Sequence, residues 1–253
     1  MNRKLIYIIP MAGLGSRFVK AGYDIPKYMI PVRGATVFEH AMRSLPLERA
    51  GKLVFVALRD HQRGYALEKF IGESLRRLPA GLPPGMKTEI IFLEKPTSGQ
   101  AETVLKARDA VPRGAGLAIY NIDTHFTSTT LAATLAGPEK KDGVIGAFTL
   151  KGTDPKWSFA ALGPDGTVAE TAEKKQISGN ALTGFYHFTD ADGFFRVAGA
   201  ALASGQRTSG ELYVAPLYNA LIREGKKFVL DRAGVIVPLG TPEDVLKAEA
   251  HAF

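Results

Sequence analysis

The stretch Leu5-Ile6-Tyr7-Ile8-Ile9-Pro10-Met11-Ala12-Gly13-Leu14-Gly15-Ser16-Arg17-Phe18 decides the fold. Its first five residues form a continuous apolar run bounded by a turn, the pattern of a strand buried on both faces. The glycine loop that follows therefore lies at the carboxyl edge of a parallel sheet, where loops diverge and ligands bind. Glycines there let the backbone approach a ligand closely and turn N–H groups towards phosphate oxygens.

Working outward, similar runs recur at Leu53–Ala57, Glu89–Leu93 and Leu117–Tyr120. Helical spacing fills the intervals at Val37–Leu45, Gln62–Leu78 and Ala101–Ala110. Strands alternating with helices predict an α/β fold, Rossmann-like, with a mostly parallel central sheet and helices on both faces. After Gly143 the pattern changes to short β-like runs at Val144–Leu150, Ser158–Leu162, Val168–Glu170 and Ala181–Phe188. The turn Gly163-Pro164-Asp165-Gly166 joins two of them, so mixed strands are expected in the second half. Helices return at Ala191–Ala203, Glu211–Glu224 and Pro242–His251, the last with Thr241 as N-cap and Pro242 at its first position. The proline-rich segment Leu78–Met86 reads as an exposed connector.

Composition narrows the function classes. Of 253 residues, 45% are apolar and 23% charged, which excludes wholesale disorder and leaves one domain as the expectation. No cysteine occurs, which removes disulfides, thiolate metal sites and cysteine nucleophiles together. The net charge of +7 suits an anionic ligand. That charge is spread along the chain without interleaved aromatics, against a nucleic-acid partner. The N-terminal apolar run is too short for a signal peptide or a membrane span, so a soluble, cytoplasmic protein is expected with no membrane partner.

The glycine loop itself excludes two readings. A dinucleotide loop wants glycine or alanine where Phe18 stands, and an acid at the end of the second strand. The Walker pattern G-x-x-x-x-G-K-[ST], G-x-S-x-G and H-E-x-x-H are all absent. A second element, Pro26-Lys27-Tyr28-Met29-Ile30-Pro31-Val32-Arg33-Gly34, stiffens the chain around Lys27 with two prolines. A lysine held in this way is a positioned point charge, and with Arg17 it reads as a polyphosphate clamp.

These motifs, Gly13-Leu14-Gly15-Ser16-Arg17 and then Pro26-Lys27, resemble the signature of nucleotidylyltransferases of the sugar-phosphate pyrophosphorylase family. The resemblance runs along nearly the whole chain. It implies the nucleotide-diphospho-sugar transferase type of fold, with residues 1–142 as an NTP-binding half and 143–253 as an acceptor-binding half. It implies nucleotide binding by Met11, Ala12, Gly13, Leu14, Gly15 and Ser16, and by Ser98, Gly99 and Gln100 beside the base. Asp123, which closes the strand-end segment Tyr120-Asn121-Ile122-Asp123, is implied as a ligand of Mg²⁺. Arg17, Lys27 and Lys174 would be the catalytic cations, and Asn121, Phe159, Glu173 and Glu211 the acceptor contacts.

One departure stands out. Many relatives carry a second metal aspartate where Pro238 stands in Pro238-Leu239-Gly240-Thr241. The variant resembles a short subgroup associated with bacterial capsule and surface glycans. The implied partners are CTP, UTP or dTTP and a small phosphorylated acceptor, and a homo-oligomer stays open. Two other functions stay open as well, a glycosyltransferase of related fold and a non-catalytic nucleotide-binding protein.

Overall fold

The computed structural model describes residues 5–137 and 141–250. Strand β1 (Leu5–Met11) leads through the glycine loop into the short helix α1 (Ser16–Lys20). The Lys27 segment forms one 3₁₀ turn, Lys27–Met29, before the hairpin β2 (Pro31–Val32) and β3 (Ala35–Thr36). Helix α2 (Val37–Arg43) starts at a capping box: Thr36 Oγ1 accepts from the Glu39 N–H while Glu39 accepts from the Thr36 N–H. Strand β4 (Ala50–Leu58), helices α3 (Arg59–Tyr65) and α4 (Leu67–Arg76) and strand β5 (Lys87–Leu93) complete the first parallel strand–helix–strand units. The expected single helix over Gln62–Leu78 is thus two, because Ala66 takes a left-handed conformation, φ 48°, between them.

Helix α5 (Gln100–Leu105) ends sooner than the helical spacing suggested, giving way to a 3₁₀ turn at Arg108–Ala110. Strands β6 (Leu117–Tyr120) and β7 (Thr124–Thr127) and helix α6 (Leu131–Ala136) follow. The second half contributes β8 (Gly143–Thr149), β9 (Ser158–Leu162), β10 (Val168–Glu173) and β11 (Asn180–Phe188). Helices α7 (Ala191–Ala203) and α8 (Tyr218–Arg223), strands β12 (Phe228–Arg232) and β13 (Val235–Pro238), and helix α9 (Pro242–Ala250) close the chain. The expected helix over Glu211–Glu224 begins only after Val214, since Glu211 to Tyr213 run in a turn clamped to another segment. Asp244 donates its N–H to Thr241 Oγ1 at 3.1 Å, the N-cap read from the sequence; His251, its expected last residue, lies outside the described residues.

A nine-stranded sheet carries the order β10-β9-β11-β6-β1-β4-β5, with β8 also paired to β11 and β12 to β8. The pairs β1–β4, β1–β6 and β4–β5 are parallel, whereas β11 runs antiparallel to β6, β8 and β9. Both faces are covered. Along β1, Ile6 and Ile8 pack on the side of α5, α7 and α8, while Leu5, Tyr7, Ile9 and Met11 pack on the side of α2, α4 and α6. Period-two alternation into two cores is why the run reads as continuously apolar.

One pairing lies outside the sequence reading. β13 returns across the molecule to pair antiparallel with β7, setting Pro238 opposite Thr124. Phe18, Ile30, Val32, Leu239, Val245 and Ala248 then form a separate small core. Through it the C-terminal helix supports both the glycine loop and the Lys27 segment.

Candidate functional site

A cavity of about 630 Å³ opens at the carboxyl ends of β1 and β6, the size of an ordinary small-ligand pocket. One wall is the glycine loop, Met11 through Arg17, together with Lys27, Gly99 and Gln100. The opposite wall holds Trp157, Ser158, Glu173, Lys174, Glu211 and Tyr213, and Asn121 and Asp123 form the floor. Arg17 and Lys27, ten residues apart, and Lys174, far along the chain, therefore line one space, and so does Lys156.

The floor is ordered by short contacts. Lys27 Nζ pairs with Asp123 Oδ2 at 2.5 Å, both side chains being largely buried. A Cβ added at Gly240 would stand 3.4 Å from that same Oδ2, so the glycine keeps the carboxylate's flank open. Beside it Gln100 Nε2 donates to Asn121 Oδ1. Gly184, at φ 87°, is required here: a Cβ would lie 2.7 Å from the Asn121 side chain.

Acids and hydroxyls shape the opposite wall. Glu173 ends β10 opposite Ser158 of β9 and accepts a hydrogen bond from its hydroxyl. Burial pushes the Glu173 carboxyl above the usual range, and the nearby Glu211 adds to this, against the Ser158 bond and Lys174. Lys156 reaches over the Trp157 ring, 5.2 Å from its centroid, and lies 3.7 Å from Asp244 of α9.

Two expected site residues do not belong to this cavity. Phe159 alternates away from it, wholly buried with Phe148 and Ala181 in a core behind the acceptor wall. The strand's period of two turns its neighbour Ser158 to the cavity instead, and Trp157, which precedes the strand and packs on Phe148, lines it as well. Ser98 is not among the lining residues, because its hydroxyl and N–H both donate to Glu102, at 2.5 and 2.7 Å. Those bonds, with Lys106, hold the Glu102 carboxyl below its ordinary value against some burial. Ser98 is tied to the first turn of α5 through Glu102 and does not line the cavity.

Gly99 lines the cavity, yet its backbone conformation has another cause. At φ 143°, a Cβ would come within 2.5 Å of the Leu212 backbone N. The sequence reading missed Trp157, Ser158 and Tyr213 as lining residues. The first two lie just before the expected contact Phe159 and the last lies two residues after Glu211, but no local signal told which side chains face inward.

The metal expectation can be tested on the donor set. Among the described residues no group of three or more His, Cys, Asp or Glu is arranged to hold a metal ion. A single accessible carboxylate on Asp123 nevertheless suits a hard divalent cation, which takes one or two carboxylates and completes its shell with phosphate oxygens and water. The residues fit such an ion only as one protein ligand beside a bound polyphosphate.

No family profile matches the chain. The bifunctional protein GlmU of Rhodopseudomonas palustris (strain ATCC BAA-98 / CGA009) is 25% identical over 181 residues, 71% of this chain. The chain spans about a third of the length of that curated relative, 36%. The inositol-1-phosphate CTP transferase of T. maritima shares the fold, with a TM-score of 0.72 at 14% identity over 98% of this chain and 97% of that one. The nucleoside-diphosphate-sugar pyrophosphorylase of Vibrio cholerae RC9 superposes with a TM-score of 0.79 over 97% of this chain and 100% of that one, at 30% identity. With the glycine loop, the Pro-Lys segment and the strand-end aspartate all gathered on one cavity, the chain belongs to the nucleoside-diphosphate-sugar pyrophosphorylase family.

Proposed function

We propose that the chain joins an NTP to a small phosphorylated acceptor, a sugar 1-phosphate or a similar phosphate monoester, and releases pyrophosphate. The observation that carries this reading is the convergence on one cavity of Arg17 and Lys27, both just after β1, with Lys174 from the far end of β10. In the reaction an acceptor phosphate oxygen attacks the α-phosphorus of the NTP, and the bond from that phosphorus to the bridging oxygen of pyrophosphate breaks. A phosphate monoester already carries about −1.5 to −2 charge at pH 7, so it needs no general base.

The chemical difficulty is repulsion between two anions, and fixed positive charge with positioning relieves it. The glycine loop and Arg17 would hold the β- and γ-phosphates. Lys27, anchored beside Asp123, would face the reacting phosphorus, and Lys174 the acceptor phosphate. When bound on Asp123, Mg²⁺ would supply further neutralisation of the triphosphate. Gln100 and Gly99 would flank the base, while Glu173 and Glu211 would accept hydrogen bonds from acceptor hydroxyls. In this reading residues 1–142 hold the nucleotide and 143–253 the acceptor, and the product serves surface-glycan assembly.

The test is a matrix of CTP, UTP, dTTP, ATP and GTP against sugar 1-phosphates and other phosphate monoesters with Mg²⁺, read by pyrophosphate release. At least one pair should turn over at a rate far above the acceptor-free control. Nucleotide binding with no release from any pair would sink the proposed enzyme and favour a binding protein.

A further inference from the structure

The lysine of the acceptor wall is held in an uncommon way. Lys174 follows the last residue of β10 with a left-handed backbone, φ 55°, a conformation that L residues adopt rarely and at a cost. Its N–H donates to the Trp157 carbonyl at 3.0 Å, which fixes the reversal against the neighbouring strand. The side chain then meets Tyr213. Its Nζ donates to the phenol oxygen at 2.6 Å and lies 4.8 Å from the ring centroid. Glu173 and Glu211 line the same cavity, but the ammonium is bonded to the phenol and pairs with neither carboxylate.

Tyr213 is itself firmly placed. Thr208 and Glu211 exchange backbone hydrogen bonds of 2.9 and 3.0 Å around the Ser209-Gly210 turn. The next residue, Leu212, donates to the Ser98 carbonyl at 2.8 Å and accepts from the Ala101 N–H at 2.9 Å. The close approach permitted by Gly99 belongs to this clamp. A tyrosine whose segment is clamped to Ser98 and Ala101 thus holds the lysine that follows β10.

A phenol differs from a carboxylate as a partner in one respect: it directs an ammonium without cancelling its charge. The phenol also stays neutral, since burial, and after it the Glu211 carboxylate, push its pKa far above the ordinary value. We propose that Tyr213 is a positioning residue that aims the Lys174 ammonium at the acceptor phosphate and leaves its charge free for that anion. This assignment rests on the nucleotidyl-transfer reading above.

Tyr213→Phe tests it, because the ring and its packing stay and only the hydroxyl goes. Losing a hydrogen bond to a charged group should raise the acceptor KM about tenfold, while the NTP KM stays within about twofold. In a Lys174→Ala background the same substitution should add nothing, whereas independent effects would add. A second measurement needs no turnover: acetylation of Lys174 by acetic anhydride, read by mass spectrometry, should rise severalfold in Tyr213→Phe, with Lys175 unchanged. An unchanged acceptor KM together with unchanged labelling would overturn the assignment. If the wild-type chain released no pyrophosphate from any pair, the functional reading would fall first. The labelling would then decide alone whether Tyr213 holds Lys174.

Discussion

The two walls of the cavity are built by different means. On the nucleotide wall most of the lining is one stretch of chain: residues 11–17 continue β1 and Lys27 comes ten residues later, with Gly99 and Gln100 added from the start of α5. On the acceptor wall, side chains from four separate segments meet through long-range contacts, such as Glu173 with Ser158, Lys174 with Tyr213, and Lys156 with Asp244. A contiguous wall can be fixed by a single strand and loop. A dispersed wall needs the whole second half of the sheet to be in register, so its precision depends on packing far from the ligand.

That contrast can be broken most forcefully at Phe159. Its ring is wholly buried behind the acceptor wall, and Phe159→Ala should destabilise the fold by about 3–5 kcal/mol, read as a lower midpoint in urea. If instead stability held and only the acceptor KM changed, Phe159 would be an acceptor contact after all, and the strand's facing would be misassigned. The next largest effect belongs to the nucleotide wall. Lys27→Ala removes a preorganised charge and should cost on the order of 3–4 kcal/mol at the transition state, a loss of about 10²–10³ in kcat. Its melting midpoint should shift little beyond what the lost Asp123 pair explains. An undiminished kcat would take Lys27 out of the chemistry and leave the nucleotide wall as a binding surface only.

The same contrast explains how much was legible. The strand runs, the glycine loop and the Pro-Lys segment declare themselves because each is a local pattern with a local physical cause. The parallel pairing in the first half and the two-sided core along β1 follow from that periodicity. Ser98 and Phe159 misled for a common reason: both lie in segments that do line the cavity, and only the direction of each side chain was wrong. Phe159 is turned away by strand alternation whose register is set by β10 and β11, and Ser98 by a bond to Glu102 four residues on. The break at Ala66 and the return of β13 onto β7 have no local signal at all. Pro238, which interrupts the family's metal motif, turns out to be a strand residue opposite Thr124.

The smallest effect sharpens the comparison by pH. Glu173 keeps its proton to a higher pH in the folded chain than in the unfolded one, because burial disfavours its charge. Between the unfolded and the folded pKa the native state therefore binds more protons, so stability falls as pH rises through that window and levels off above it. Glu173→Gln removes the titration, and at pH 7 it should leave the fold as stable as the parent or more so, by no more than about 1 kcal/mol. Function moves the other way. Ionised Glu173 is the better acceptor for ligand hydroxyls, so, beyond the acceptor phosphate's own titration that both chains share, the parent's acceptor KM should improve as pH rises through the folded pKa, while the Gln variant lacks that step and stays weaker. The nucleotide KM should lack that inflection in both chains, since Glu173 faces the other wall. An inflection in the nucleotide KM that vanished with Glu173→Gln would mean that the two walls are not separate sites, and the division of labour between them would have to be redrawn.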